Sequence, residues 1–191
     1  MFNYRATVAL LGIIASSRSS VTKLEAAKLV YIMDKRHLEH FGRTITGDHY
    51  FAMPNGPVPS TTLNLINADE ATDSKRYAAL RSDMDELAID AREVVAYRDS
   101  FLNIERKGNT ATITAKKAPN LEELSESDEK IAKSVLAEFK DSGVGDILAY
   151  VHGLPEFERR FDESKKRVPI PIRDMLKNGS KRAKALYAFS R

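Results

Sequence analysis

Residues 22–42 read TKLEAAKLVYIMDKRHLEHFG and predict one long helix. Thr22 and Glu25 have the spacing of a capping box, in which each side chain satisfies a backbone N–H group at the helix start. The helix is expected to run to about Phe41 and to end at Gly42. Its apolar residues occupy more than one face: Ala26, Val30, Met33, His37 and Phe41 form one stripe, which is widened by Leu24, Ala27, Tyr31 and Leu38. A helix that is apolar on so many sides is expected at the centre of the fold.

The segments around this helix predict a mainly α protein, a single compact helical domain with one small antiparallel β-hairpin. The hairpin is expected at residues 101–106 and 110–114, where β-branched and aromatic residues flank a three-residue loop with a glycine. Two prolines in residues 168–172 argue against a central strand there. Apolar spacing and capping residues predict further helices over residues 3–16, 60–67 with Ser60 as its cap, 77–93, 125–143 and 145–152.

The composition is typical of a globular protein, because 42% of the 191 residues are hydrophobic and 30% are charged. The chain has no cysteine, which excludes a disulfide framework, a thiol nucleophile and a thiolate metal site, and which fits a cytoplasmic protein. The apolar run at residues 6–15 is about half as long as a membrane-spanning helix. We therefore expect a buried first helix and no association with a membrane.

Positive charge is concentrated at the end of the chain. Residues 164–191 carry nine basic side chains and one acidic one, whereas the net charge of the whole chain is +3. We expect residues 1–163 to form the domain and residues 164–191 to form a basic extension packed on or beside it. Such an excess favours an acidic partner. The predicted partner-binding residues are Lys165, Lys166, Arg167, Lys181, Arg182 and Lys184. Nucleic acid is a less favoured partner for the same residues.

A search for metal-binding and catalytic patterns gives weak signals. The sequence contains no glycine-rich phosphate-binding motif. His37 and His40 have a spacing that metal ligands use, and Asp48 or His49 follows them in the next loop. A helical histidine pair is more often simply packed or exposed. We therefore predict no catalytic residue, no cofactor and no metal site.

Asp34 lies in the middle of the long helix, where packing would bury its carboxylate. A buried carboxylate needs partners, which are expected among the backbone N–H groups of residues 47–55 or at Arg43. The favoured role is to hold the following loop against the helix. A hydrolase or metal enzyme built on Asp34, His37 and His49 is the alternative that these residues leave open.

Two blocks of the sequence resemble the Panacea domain of SocA-like antitoxins. The first runs from Lys28 to Tyr50 through an aspartate, a basic patch, a glycine and an Ile-Thr-Gly-Asp turn, and leads into a Gly-Pro-Val-Pro-Ser run. The second runs from Leu148 to His152, is followed by Pro155 and Glu156, and has Val151 where the family commonly has threonine. Between the two blocks, Leu124 to Asp128 is similar to a later helix start of the family. The resemblance covers roughly residues 8–162. It implies structural roles for the motif residues Tyr31, Asp34, His37, Gly42, Gly47, Asp48, Gly56, Pro57, Pro59 and His152.

The resemblance implies an antitoxin of a toxin–antitoxin system. Members of this family are mostly small bacterial or phage-borne proteins that neutralise a cognate protein toxin by direct binding, and some deliver the toxin to a cellular protease. No enzymatic reaction is implied. The alternatives are an orphan phage-associated protein without a toxin and a nucleic-acid-binding regulator. Because members with different toxins share the motif block, partner choice is expected in residues 68–76, residues 101–114 or the basic tail.

Overall fold

The computed structural model describes residues 1–69 and 74–189. In these ranges the chain is mainly α, as predicted, with α1 Tyr4–Ser17, α2 Lys23–Phe41, α3 Ser60–Asn67, α4 Ser74–Asp85, α5 Ala91–Phe101, α6 Glu126–Glu138, α7 Val144–His152, α8 Pro155–Arg160, α9 Ile172–Met175 and α10 Lys181–Phe189. The strands are β1 Val21–Thr22, β2 Tyr50–Met53, β3 Gly56–Pro59, β4 Leu102–Lys107, β5 Thr110–Ala115 and β6 Val168–Ile170. Residues 68–76 were predicted to form a loop that helps to select the partner. Of these, residues 70–73 lie outside the described ranges.

Helix α2 forms the centre of the fold, as its sequence predicts. The capping box is present: the Thr22 hydroxyl accepts from the Glu25 backbone N–H, and the Glu25 carboxylate accepts from the Thr22 backbone N–H. Helices α1, α6, α7 and α10 and strand β3 all pack against it. Its buried residues run almost without interruption from Ala26 to Leu38. The predicted stripe is wrong at its end, because Phe41 lies past this packing and is 40% exposed.

The predicted single hairpin is part of a larger β structure, since the described residues form two antiparallel sheets of three strands each. The first has the order β1-β5-β4, and its hairpin turn has two residues, Gly108 and Asn109, rather than the three predicted. The second has the order β3-β2-β6. The prolines of this sheet lie in its edge strands β3 and β6. An edge strand tolerates a residue without an N–H group, because only one side of the strand pairs with a neighbour.

The helix predicted over residues 77–93 is wrong, because this stretch contains two helices. Helix α4 ends at Asp85, and Ala88 has a left-handed backbone with φ of 57°. Asp90 then caps α5 by accepting from the Arg92 backbone N–H at 2.8 Å. Helix α5 continues to Phe101, so it includes the first residue of the predicted strand. Likewise, α6 ends at Glu138 rather than at Gly143.

The basic end of the chain packs against the rest of the fold. Strand β6 pairs with β2, and α10 packs against the end of α2. Gly42, which ends α2, has φ of +75°, and a Cβ atom there would lie 2.5 Å from the Ala183 carbonyl oxygen of α10. Glycine at this position therefore allows both the left-handed turn and the close approach of α10.

No helix in residues 1–69 or 74–189 is long and apolar enough to cross a membrane.

We predict that Gly42→Ala lowers the free energy of unfolding by about 2–4 kcal/mol, because left-handed strain and overpacking against α10 add together. Gly108→Ala is the matched control, since Gly108 has φ of +59° and a Cβ atom there would meet nothing within 4 Å. The control is expected to lose only the strain, about 1–2 kcal/mol. Urea unfolding of both variants measures the difference, and equal losses would contradict the contact with α10.

Candidate functional site

The motif residues of α2 hold the loop that follows it, and Asp34 is the main anchor. Its buried carboxylate accepts hydrogen bonds from the backbone N–H groups of Ile45 and Thr46 at 2.7 and 2.9 Å, and from the Tyr50 hydroxyl at 2.8 Å. The Thr46 hydroxyl is a further donor. Burial raises the pKa of Asp34 to about 6, although the bonds from Thr46 and Tyr50 oppose this rise. The sequence predicted that backbone N–H groups of residues 47–55 or the Arg43 side chain would bind the Asp34 carboxylate. Both predictions are wrong, because the backbone donors are Ile45 and Thr46 and Arg43 does not contact Asp34.

Asp48 caps helix α3 from a distance of more than ten residues. Its carboxylate accepts from the backbone N–H groups of Thr61 and Thr62 at 2.9 and 2.7 Å, and from the Thr62 hydroxyl at 2.7 Å. The predicted cap, Ser60, makes no such bond, because it is already the first residue of the helix. Burial raises the pKa of Asp48, against these hydrogen bonds. Gly47, beside it, lies against the Met1 backbone, where a Cβ atom would overlap the Met1 carbonyl.

His37 joins α2 to the start of α6. Its Nδ1 lies 2.9 Å from the Arg43 carbonyl oxygen, and its Nε2 lies 3.0 Å from an Asp128 carboxylate oxygen. Arg43 contacts the same carboxylate at 2.8 Å. Burial acts to raise the pKa of Asp128, but its hydrogen bonds with His37 and Ser125 and the Arg43 charge outweigh burial and lower it. The spacing of residues in the sequence did not predict that His37 pairs with Asp128.

The residues of the metal hypothesis have separate partners. His40 is exposed and lies 2.8 Å from the Arg36 carbonyl oxygen, whereas both ring nitrogens of His37 face protein groups. His49 is exposed in the loop before β2. Within the described part of the chain, no three histidine, cysteine or acidic side chains form a group that could hold a metal ion. Asp34, His37 and His49 therefore do not form a three-residue metal site.

A second buried network joins α2 to α8 through Glu156. The Tyr31 hydroxyl donates to the Glu156 carboxylate at 2.9 Å, and the Lys35 ammonium lies 3.2 Å from it. Lys35 also contacts Glu39 at 2.9 Å and donates to the Met175 carbonyl oxygen at 3.2 Å. The Lys35 cation therefore offsets the buried Glu156 carboxylate, while the partly exposed Glu39 carboxylate contacts the same ammonium.

The Gly-Pro-Val-Pro run forms strand β3 and lies between α2 and α7. Gly56 has φ of +90°, and a Cβ atom there would lie 3.0 Å from both Val151 and His152. The His152 ring stacks on Phe157, with ring centroids 4.9 Å apart. The Pro57 carbonyl oxygen accepts a hydrogen bond from Lys28 of α2 at 2.7 Å, and Pro59 pairs with Tyr50 across the sheet. The motif residues thus converge around α2 although they are far apart in sequence.

The structure divides the basic tail residues between two places. All six predicted residues are exposed: Lys165, Lys166, Arg167, Lys181, Arg182 and Lys184. The first three precede β6, where the Arg167 guanidinium lies 3.6 Å from the centroid of the Phe51 ring. The other three lie on α10, beside the end of α2. The tail therefore presents two basic patches on different elements.

We predict that Lys35→Met lowers the free energy of unfolding by about 3–5 kcal/mol, because the variant leaves Glu156 buried without its cation. Lys130→Met, at an exposed position of α6, is the control and should change it by less than about 0.5 kcal/mol. Adding Glu156→Gln to Lys35→Met should recover part of the loss. Denaturant unfolding measures all three variants, and a Lys35→Met protein as stable as the control would refute the network.

Comparison with known proteins agrees with these motifs. The family model described as Antitoxin SocA-like, Panacea domain, matches residues 27–156. The match includes the motif residues from Tyr31 to His152 and excludes both basic patches of the tail. No curated protein and no solved structure matches the chain. Since the family model matches well over half of the 191 residues, the chain belongs to the SocA-like antitoxin family with a Panacea domain.

Proposed function

We propose that this protein is an antitoxin that neutralises a cognate protein toxin by direct binding. The family match over residues 27–156 is the observation that carries this proposal. The buried networks around α2 support it, because they hold loops and strands in place before a partner arrives. A preorganised surface loses less conformational entropy on binding than a mobile one. We place this binding in the cytoplasm, with delivery of the toxin to a cellular protease as an additional step.

Neutralisation by contact requires that the antitoxin cover the toxin's active or binding surface. A stable complex of this kind buries about 800 Å² on each partner. The basic patches on the segment before β6 and on α10 lie outside the family match, where the chain is free to suit its own toxin. We propose that they contact an acidic surface of the toxin, since the tail carries nine basic residues and one acidic residue.

Co-expression with the product of the adjacent open reading frame tests the proposed function. We expect the neighbour alone to stop growth, both proteins together to restore it, and a tagged copy of this chain to recover the neighbour as a complex. A neighbour that is harmless alone and forms no complex would contradict the proposal. In that case the chain would belong with the orphan members of the family.

We predict that Lys166→Glu combined with Lys181→Glu weakens toxin binding at least about tenfold at low salt, and less at high salt, because salt screens the lost attraction. The matched control reverses two other exposed lysines, Lys130 and Lys140 of the α6 region. Surface plasmon resonance at two salt concentrations measures both double variants. Equal effects of the two pairs would contradict the tail contact.

Wild-type binding to duplex DNA that falls steeply with salt would instead favour the nucleic-acid alternative.

A further inference from the structure

Two lysines on α2 are buried, and only one of them has an acidic partner. Lys35 contacts the carboxylates of Glu39 and Glu156 at 2.9 and 3.2 Å. Lys28 is fully buried seven residues earlier, and its ammonium donates to the Pro57 carbonyl oxygen at 2.7 Å. In the described part of the chain no carboxylate lies within ion-pair distance of Lys28. An ammonium has three N–H donors and its burial is costly without an anion, so Lys28 is an uncompensated group.

Lys28, although fully buried, is one of the residues that line a pocket beside the start of α2. The pocket has a volume of about 230 Å³, and apolar side chains make up most of its wall: Leu24, Ala27, Met53, Pro54, Val58 and Leu63. Lys23, Leu24 and Asn55 line both this pocket and a wider cavity of about 680 Å³. That cavity extends to the tip of the β4–β5 hairpin and to Val144, which is 40% exposed. Pocket and cavity together form one groove along the start of α2.

Two lysines and no acidic residue line the narrow end of the groove. Lys23 is the other titratable residue that lines the pocket, and burial together with the charges of Arg76 and Arg106 lowers its pKa. Burial alone lowers the pKa of Lys28 to about 7. The acidic residue of the wider cavity, Glu25, is engaged by Arg18 and by the capping box. The pocket is therefore complementary to a carboxylate that carries a short apolar stem.

We propose that the Lys28 pocket receives an aspartate or glutamate side chain of the partner protein, while the neighbouring partner segment lies in the wider cavity. This inference rests on the proposed function, because the partner is the toxin. On binding, the Lys28 ammonium leaves the Pro57 carbonyl and pairs with the incoming carboxylate. The flexible lysine stem and the partly exposed Met53 permit this movement. Such a desolvated charge pair in an apolar pocket is the arrangement typical of an interface hot spot.

The pocket can be tested on the free chain with butyrate, a carboxylate with a short apolar stem. Lysine side chains labelled with ¹³C at Cε are followed by NMR as butyrate is added. We expect saturable shifts at Lys28, a rise of its pKa, and binding weaker by well over about tenfold at pH 9 than at pH 6, since the ammonium deprotonates. Butyramide, the neutral analogue, should not shift the Lys28 signal. Equal shifts with both compounds, or none with butyrate, would overturn the proposal.

The toxin complex gives the second test, with Lys28→Met compared with Lys130→Met. We expect Lys28→Met to weaken toxin binding at least about tenfold, mainly through faster dissociation, while its melting temperature stays equal or rises. Lys130→Met should leave both unchanged. Unchanged toxin binding by Lys28→Met would overturn the role of the pocket, whereas failure of wild-type rescue would overturn the proposed function and with it the toxin as the occupant. If Lys28→Met does not fold, the butyrate and butyramide titrations of the wild-type chain still decide the matter.

Discussion

A helix that is buried on nearly every side has no water to solvate its charged residues, and this constraint organises the whole molecule. Helix α2 carries Lys28, Asp34, Lys35 and His37 inside the protein. Each of these groups needs partners from elsewhere in the chain, because leaving an ion unsatisfied in the interior costs several kcal/mol or more. The loop after α2, strand β3, the start of α6 and helix α8 supply them.

This arrangement explains why the family motif is spread over more than a hundred residues. Asp34 and Asp48 hold the loop between α2 and α3, His37 reaches Asp128, and Tyr31 and Lys35 reach Glu156. These motif residues therefore make their contacts inside the fold of this chain. Lys28 is the exception in our account. It belongs to the motif block by position, yet its place under an open pocket gives it a role in binding.

Local patterns in the sequence were sufficient for much of the fold. The Thr22–Glu25 capping box and the β4–β5 hairpin depend on residues a few positions apart, and both are confirmed. The break before Asp90 was missed, because apolar spacing continues across it. The partners of Asp34, His37 and Glu156, the distant cap of α3 by Asp48 and the pairing of β6 with β2 all depend on tertiary contacts. Spacing along one chain cannot show contacts of that kind.

Hydrogen exchange on the purified complex with the neighbouring gene product tests the central claim, that a rigid scaffold around α2 presents a binding groove at the helix's N-terminal end. Amides in the interior of α2 should exchange slowly in the free chain and change little on binding. New protection should be confined to residues 22–25, 53–56 and 109–112, which border the groove, and to the basic patches. Fast exchange throughout α2 in the free chain, or new protection only on α4 and α5, would contradict the account.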